Sequence, residues 1–336
     1  MPGTLLPRTL LIRTTTAGVL LVLVMLLCSL IGPQAISWKA VTNGPASLAT
    51  PNPDYEIFVH VRVPRIILAA LVGAALAGSG VVFQALLRNP LADPYILGSS
   101  SGAGLGAMLA VLGGLSWTLW GRSPIAVFAF AGALGTVWLV WGVGRLAGKY
   151  HVIGLLLAGV VVNAFFSAVI MFLASVAKTQ QLYATMFWLM GNMQEEDFFV
   201  LWVGGGGIVA GLVGLFFLSP KLNIISIGYH DARSAGVPVE RIELAAFAIS
   251  ALITAVAVSL SGLIGFVGLI IPHAVRLVFG ADHRQLLPLS SLAGAMFLVV
   301  ADTVARTIVA PAQLPVGVVT AMIGGPFFLW MLLKKR

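Results

Sequence analysis

Apolar runs of roughly 20 residues, each closed by a short polar or proline-bearing stretch, recur from Ala17 to Leu333. An α-helix needs about that length to cross the hydrocarbon core of a bilayer. The pattern predicts about ten crossings: Ala17–Gly32, Ile66–Leu87, Ile96–Leu115, Pro124–Gly144, Val152–Ala177, Phe198–Leu218, Ile242–Leu260, Gly262–Phe279, Leu286–Ala301 and Val316–Leu333. A further apolar piece, Leu182–Met190, is too brief to cross and is expected to lie at or partly within one face. The fold class is an all-α polytopic membrane protein, with residues 1–336 forming one transmembrane domain.

Composition agrees and charge adds an orientation. Hydrophobic residues make up 59% of the chain and charged residues 9%, against about 25% charged in soluble domains. The 38 glycines suit close helix packing in lipid, where small residues let backbones approach. With an even number of spans both termini share a side. Assigning that side to the cytoplasm puts 13 of the 19 lysines and arginines inside, as the positive-inside rule requires. The net charge of +8 is then a consequence of topology, and no nucleic acid need be invoked. The first apolar run follows Arg8 and Arg13 as a signal peptide would, but no clean small-x-small site follows it, so it is expected to remain as the first span. The one cysteine, Cys28, reads as a small buried apolar residue.

Catalytic signals are sparse. Gly144-Arg-Leu-Ala-Gly148-Lys149-Tyr150 has the wrong spacing for a phosphate loop and lacks the hydroxyl that would hold Mg²⁺. The chain is therefore expected not to hydrolyse ATP by itself. His60, His151, His230, His273 and His283 are scattered, without an i, i+4 pair, and no metal site or cofactor is expected. Asp302, near a span end beside Arg306, is the nearest approach to an intramembrane carboxylate, and a local ion pair accounts for it. Trp117, Trp120, Trp138, Trp141, Trp188, Trp202 and Trp330 lie mostly near span ends and read as an interfacial belt. Glu195-Glu196-Asp197 reads as a solvated outer turn, and Gly204 to Gly207 as a packing surface.

The longest polar segment on the inner side, about residues 219–241, is punctuated by Gly228, Gly236 and Pro238. Tyr229 to Ala235 can form a helix of about two turns. A plain loop and a grip for a soluble partner, offered by an exposed aromatic with mixed charges, are both open readings.

Several blocks, in order, resemble the FecCD permease family of binding-protein-dependent ABC importers for iron-siderophore complexes, haem and cobalamin. They are Arg62-Val-Pro-Arg65, the glycine-rich Leu71 to Gly80, Asn89-Pro-Leu-Ala-Asp-Pro-Tyr-Ile-Leu-Gly98, Leu155-Leu-Leu-Ala-Gly159, Trp188-Leu-Met-Gly191, Gly265 to Arg276, Asp282-His-Arg284 and Leu314 to Thr320. The resemblance implies a homodimeric permease in the cell inner membrane, with two ATP-binding subunits on the cytoplasmic side and one substrate-binding protein outside. It implies that Arg62, Arg65 and Arg306 dock the binding protein; interfacial snorkelling is the alternative. It implies that Asn89 and Leu91 close the cytoplasmic end of the path, where Pro90 and Pro94 deny helix continuation and leave Leu91 free to act as a plug. A second gate element falls on His151 to Gly154, where relatives are often small and polar, so Val152 and Ile153 are expected to form a greasier constriction. Ser226, Gly228, Tyr229, Asp231, Arg233, Gly236 and Pro238 match the segment that couples to the ATPase. Among cargoes a ferric siderophore is favoured over cobalamin or haem. The competing reading is a self-contained secondary carrier or channel, which would need an intramembrane ion or proton site.

Overall fold

The computed structural model describes residues 7–45, 52–115, 123–146, 151–193 and 198–334. The described elements are all helical. They are α1 (Pro7–Leu30), α2 (Trp38–Thr42), α3 (Pro53–Glu56), which runs through a π-helical turn (Ile57–Arg62) into α4 (Val63–Leu86), α5 (Ser99–Leu112), α6 (Pro124–Leu146) and α7 (His151–Val176). There follow α8 (Thr179–Leu189), α9 (Phe198–Ile227), α10 (Tyr229–Ser234), α11 (Val239–Ser261), α12 (Val267–Phe279), α13 (His283–Thr307) and α14 (Val316–Lys334).

Among the described residues seven helices are long and apolar enough to cross a bilayer: those of α1, α3–α4, α6, α7, α9, α11 and α13. Three shorter apolar helices, Ser99–Leu112, Val267–Phe279 and Val316–Trp330, fall on the other three runs read from the sequence. The expected span Gly262–Phe279 needs correction. Its first five residues are not helical, and α12 has 13 residues, about 20 Å of rise. Gly262 and Phe266 carry positive φ values of 68° and 70°, which end α11 and start α12 in a new direction. The irregular stretch between them is tolerated because it is paired inside protein. The Ile264 N–H donates to the Tyr95 hydroxyl, and the Ser261 carbonyl accepts from the Asn192 N–H.

The expected boundary of the sixth run at Leu218 is also corrected, since α9 continues through Pro220 to Ile227. Proline cannot bond the carbonyl four residues back. Here that carbonyl, of Phe216, accepts instead from the Ser219 hydroxyl at 2.5 Å. At the other end of the chain α1 begins ten residues before the expected Ala17. The Thr14 and Thr15 hydroxyls bond back to the carbonyls of Leu10 and Leu11, which satisfies these polar side chains within the helix. α8 has 11 residues, short of the length a crossing needs. It lies on α5, with Thr185 Oγ1 on Met108 Sδ and Gln181 donating to the Val111 carbonyl.

The centre of the bundle is α4, whose apolar window is 83% buried, whereas α1 lies at the edge with Ala17, Leu21, Val24 and Met25 only partly buried against the core. Glycine explains how its neighbours come so close. A Cβ on Gly73 would strike the Gly294 carbonyl of α13, and one on Gly80 the Gly268 carbonyl of α12. In the same way α5 and α6 meet at Gly102, Gly106 and Gly132. Trp141, expected in the belt, is instead buried against Phe247, with ring centroids 4.1 Å apart. Trp202 and Trp330 are exposed, whereas Trp117, Trp120 and the Glu195-Glu196-Asp197 turn lie outside the described residues.

Candidate functional site

Polar side chains gather at the two opposite ends of the bundle. At one end α1 stops, α4 begins and α13 stops, so α1 and α13 run parallel to each other and antiparallel to α4. Here Arg65 reaches across to Asp302, with Nε 3.1 Å from both carboxylate oxygens and a terminal nitrogen 2.9 Å from Oδ1. A second guanidinium nitrogen of Arg65 donates to Gln313 at 2.8 Å. Arg306, one helical turn after Asp302, donates to the Cys28 carbonyl at 2.8 Å, and its Nε lies 3.9 Å from Asp302. Arg62 donates to the carbonyls of Ser29 and Gln34.

These three arginines are the residues expected to dock a binding protein, and all three are buried. Arg62, Arg65 and Arg306 are 3%, 6% and 3% exposed. An isolated buried guanidinium is strongly disfavoured, so each has been drawn onto a carboxylate, an amide or free carbonyls of the same chain. The ion pair anticipated at Asp302 is present, but with Arg65 as its main partner. Sequence separation hid that partner, which lies 237 positions away.

The opposite end carries the turn after α4. The Arg88 N–H donates to the Ala85 carbonyl and the Asn89 N–H to the Gln84 carbonyl, closing α4 with a Schellman motif. Its left-handed position, normally glycine, is held by Arg88 with φ of 47°. Next, Asn89 Oδ1 accepts from the Leu91 N–H at 2.9 Å and the Asn89 carbonyl from the Ala92 N–H, a tight turn with Pro90 at its corner. Asp93 caps the following 3-10 turn, Pro94–Leu97, by accepting from the Tyr95 N–H at 2.8 Å. Burial pushes the Asp93 carboxyl up to about 6, against the opposing effect of that hydrogen bond. Leu91 is 38% exposed, and Pro90 beside it is exposed as well.

This turn is pinned to α7. The Asn163 amide donates to the carbonyls of Tyr95 and Ile96 at 3.2 and 3.3 Å, and a Cβ on Gly159 would strike the Ile96 carbonyl. Val152 and Ile153 lie on the first turn of α7, with Ile153 exposed. The 3-10 turn that follows the Asn89–Asp93 turn thus packs on α7, the helix whose first turn carries Val152 and Ile153. Tyr95 lies in the Asn89 to Gly98 block singled out in the sequence, whereas Asn163 had no distinguishing sequence signal.

Beside the turn sits the segment expected to couple to a partner. It is a helix, not a plain loop. α10 spans Tyr229–Ser234 and ends in a second Schellman motif, with the Gly236 N–H on the Arg233 carbonyl and the Val237 N–H on the Ala232 carbonyl. Gly236, at φ of 76°, takes the left-handed position, and Pro238 then starts α11. Ala232 is buried, whereas Ser226, Asp231, Arg233, Gly236 and Pro238 are exposed. Tyr229, expected to be exposed, turns half inward. Its hydroxyl donates to Glu243, and Arg88 lies over its ring at 5.3 Å from the centroid. Arg233 flanks the same ring at 5.9 Å and pairs with Glu240.

A third contact ties this end together. Asp282 caps α13 through the Arg284 N–H, receives the Asn223 amide at 2.7 Å and pairs with the Arg284 guanidinium at 2.6 Å. Burial raises its carboxyl, but these bonds outweigh that and hold it down at about 2. Arg13 of α1 donates to Gln285 at 2.7 Å and lies over Phe279.

The sequence matches the FecCD transport family over residues 20–334. The chain belongs to that family. Within reach of this FecCD chain are the hemin transport system permease protein HmuU of Yersinia pestis, 38% identical over all of this chain and 98% of that protein, and the cobalamin import system permease protein BtuC of Halobacterium salinarum, 39% identical over 96% of each. The FecCD fold also superposes on a solved inward-facing conformation of a metal-chelate type ABC transporter. The TM-score is 0.83 and the identity 31%, over 98% of this chain and all of that one.

Proposed function

We propose that this chain is the membrane permease subunit of an ATP-driven, binding-protein-dependent importer of a metal chelate. It does no bond chemistry itself. The observation that carries the reading is the family match along nearly the whole chain, and the exposed α10 beside the Asn89–Asp93 turn gives it a mechanism. The relatives named for hemin and cobalamin make those the first cargoes to test, and a ferric siderophore keeps its place as a third chelate of the same class.

In this reading the subunit crosses the membrane ten times, with the shorter helices α5, α12 and α14 completing the set, and both termini are cytoplasmic. The end carrying Arg13, Arg88, Arg145, Lys221, Arg233, Arg241 and Arg284 faces inward, in accord with the positive-inside rule. Two copies flank a path along their shared axis, and Asn89, Leu91, Val152 and Ile153 line its inner constriction. Exposed apolar side chains such as Leu91 and Ile153 close such a constriction by excluding water. An ATPase subunit grips the exposed face of α10, with Ser226, Gly228, Tyr229, Asp231, Arg233, Gly236 and Pro238 shaping the contact. A substrate-binding protein docks at the opposite end, on the surface that the Arg62, Arg65, Asp302 and Arg306 network holds in shape from beneath.

The test is assembly. Co-expressed with a cognate P-loop ATPase subunit, the chain is expected to purify with that subunit in equal amounts, and Asp231→Lys with Arg233→Glu on the exposed face of α10 is expected to lose it. Purification of a stable, folded chain with no affinity for the ATPase contradicts the proposal.

A further inference from the structure

Two helices end side by side on the proposed cytoplasmic face with the same hydrogen-bonded motif, but they fill its left-handed position differently. α10 uses Gly236 and α4 uses Arg88. A side chain with a Cβ is disfavoured there, so the arginine points to a role beyond ending the helix. Its surroundings supply one. Arg88 donates to the Ile225 carbonyl at 3.4 Å, in the last turn of α9, and its guanidinium covers the ring of Tyr229, the first residue of α10. Tyr229 is fixed in turn by its hydrogen bond to Glu243 of α11. On its other side Arg88 is joined by one peptide bond to Asn89, which builds the turn presenting Leu91.

We propose that Arg88 is a positioning residue that carries movement of α10 to the Leu91 turn, through its stacking on Tyr229 and its bond to Ile225. The inference rests on the permease reading. A guanidinium over an aromatic face resists separation yet allows sliding, so α10 can tilt with a gripping partner while the turn follows. The left-handed backbone at Arg88 makes the connection short. No flexible residue intervenes between the stacked side chain and the turn.

The test uses the full chain assembled with its ATPase subunit in lipid nanodiscs, with Cys28→Ser removing the native thiol. Spin labels placed at Leu91→Cys report the distance between the two gates of a dimer, and labels at Ser226→Cys report the movement beside α10. In the parent both distances are expected to change between the nucleotide-free state and the state trapped with ATP and vanadate. Arg88→Gly suits the backbone and is expected to fold, to keep the change at Ser226 and to lose the change at Leu91. Arg88→Lys retains a cation over the ring and is expected to keep most of the gate change. A gate that responds normally in Arg88→Gly overturns the proposal, and so does loss of the Ser226 change together with the gate change. A parent in which neither distance responds to nucleotide counts against the permease reading itself.

Discussion

Removing the Asp302 carboxylate is expected to loosen the end of the bundle where α1, α4 and α13 meet. Asp302 is 1% exposed, accepts three hydrogen bonds from Arg65 and lies 3.9 Å from Arg306. Asp302→Ala leaves two buried guanidinium groups without a counter-charge, a change that costs about 3–5 kcal/mol when one partner of a buried pair is deleted. The surviving bonds of Arg65 to Gln313 and of Arg306 to the Cys28 carbonyl place the loss toward the lower end of that range. Asp302→Asn keeps one acceptor oxygen but loses the charge and turns the other acceptor into a donor facing the guanidinium, for about 2 kcal/mol. Replacing the pair with apolar side chains in the double variant Arg65→Met/Asp302→Leu recovers most of the loss, because no ion is left in that position. For a chain of 336 residues the usual unfolding entropy converts 3–5 kcal/mol into about 4–7 °C of melting temperature. Cys28 is the one cysteine and is buried beside this network, so a thiol-reactive fluorogenic dye reads its opening directly on heating. An Asp302→Ala chain that exposes Cys28 within about 1 °C of the parent would refute the reasoning, since a stripped buried pair has to register on this scale.

Other variants probe the packing and the turn. Gly73→Ala is expected to destabilise the chain by about 1–3 kcal/mol, as overpacking does, because the new Cβ meets the Gly294 backbone and no flexible side chain can yield; the same thiol assay reads it. Ser219→Ala strands the Phe216 carbonyl beside Pro220 and is expected to cost about 1 kcal/mol, with a bend in α9 visible by spin-label distances. Asp93 titrates in the folded chain near 6, above an unfolded value of about 3.9. A raised carboxyl binds more protons folded than unfolded, so stability falls as pH rises from about 4 to about 6 and then levels. Asp93→Asn, which keeps the cap on the Tyr95 N–H, is expected to flatten that profile, and an unchanged slope would remove the assignment.

The gross architecture was legible because lipid imposes a simple length rule. Runs such as Pro124–Gly144 and Val152–Ala177 map onto single helices within a few residues. The rule failed where local hydrogen bonds override composition. Ser219 rescues a proline that otherwise reads as a helix end, and positive φ at Gly262 and Phe266 breaks a run that is uniformly apolar. The α10 helix was legible from its Gly228 and Gly236 bounds, but the inward turn of Tyr229 was not, because Glu243 lies on another helix. For the same reason Arg62, Arg65 and Arg306 read as surface residues until their partners at positions 28, 29, 34, 302 and 313 were in view. Pattern locates helices, whereas charge placement depends on contacts between helices, 14 to 278 residues apart.

Uptake into sealed proteoliposomes tests the central claim most directly. The chain reconstituted with its ATPase subunit, with ATP on the ATPase side and the binding protein loaded with hemin, cyanocobalamin or a ferric hydroxamate on the other, is expected to accumulate one of these chelates. The chain alone, with or without a proton gradient, is expected to accumulate none. Gradient-driven accumulation by the chain alone, or ATP-independent accumulation by the full assembly, would contradict the account.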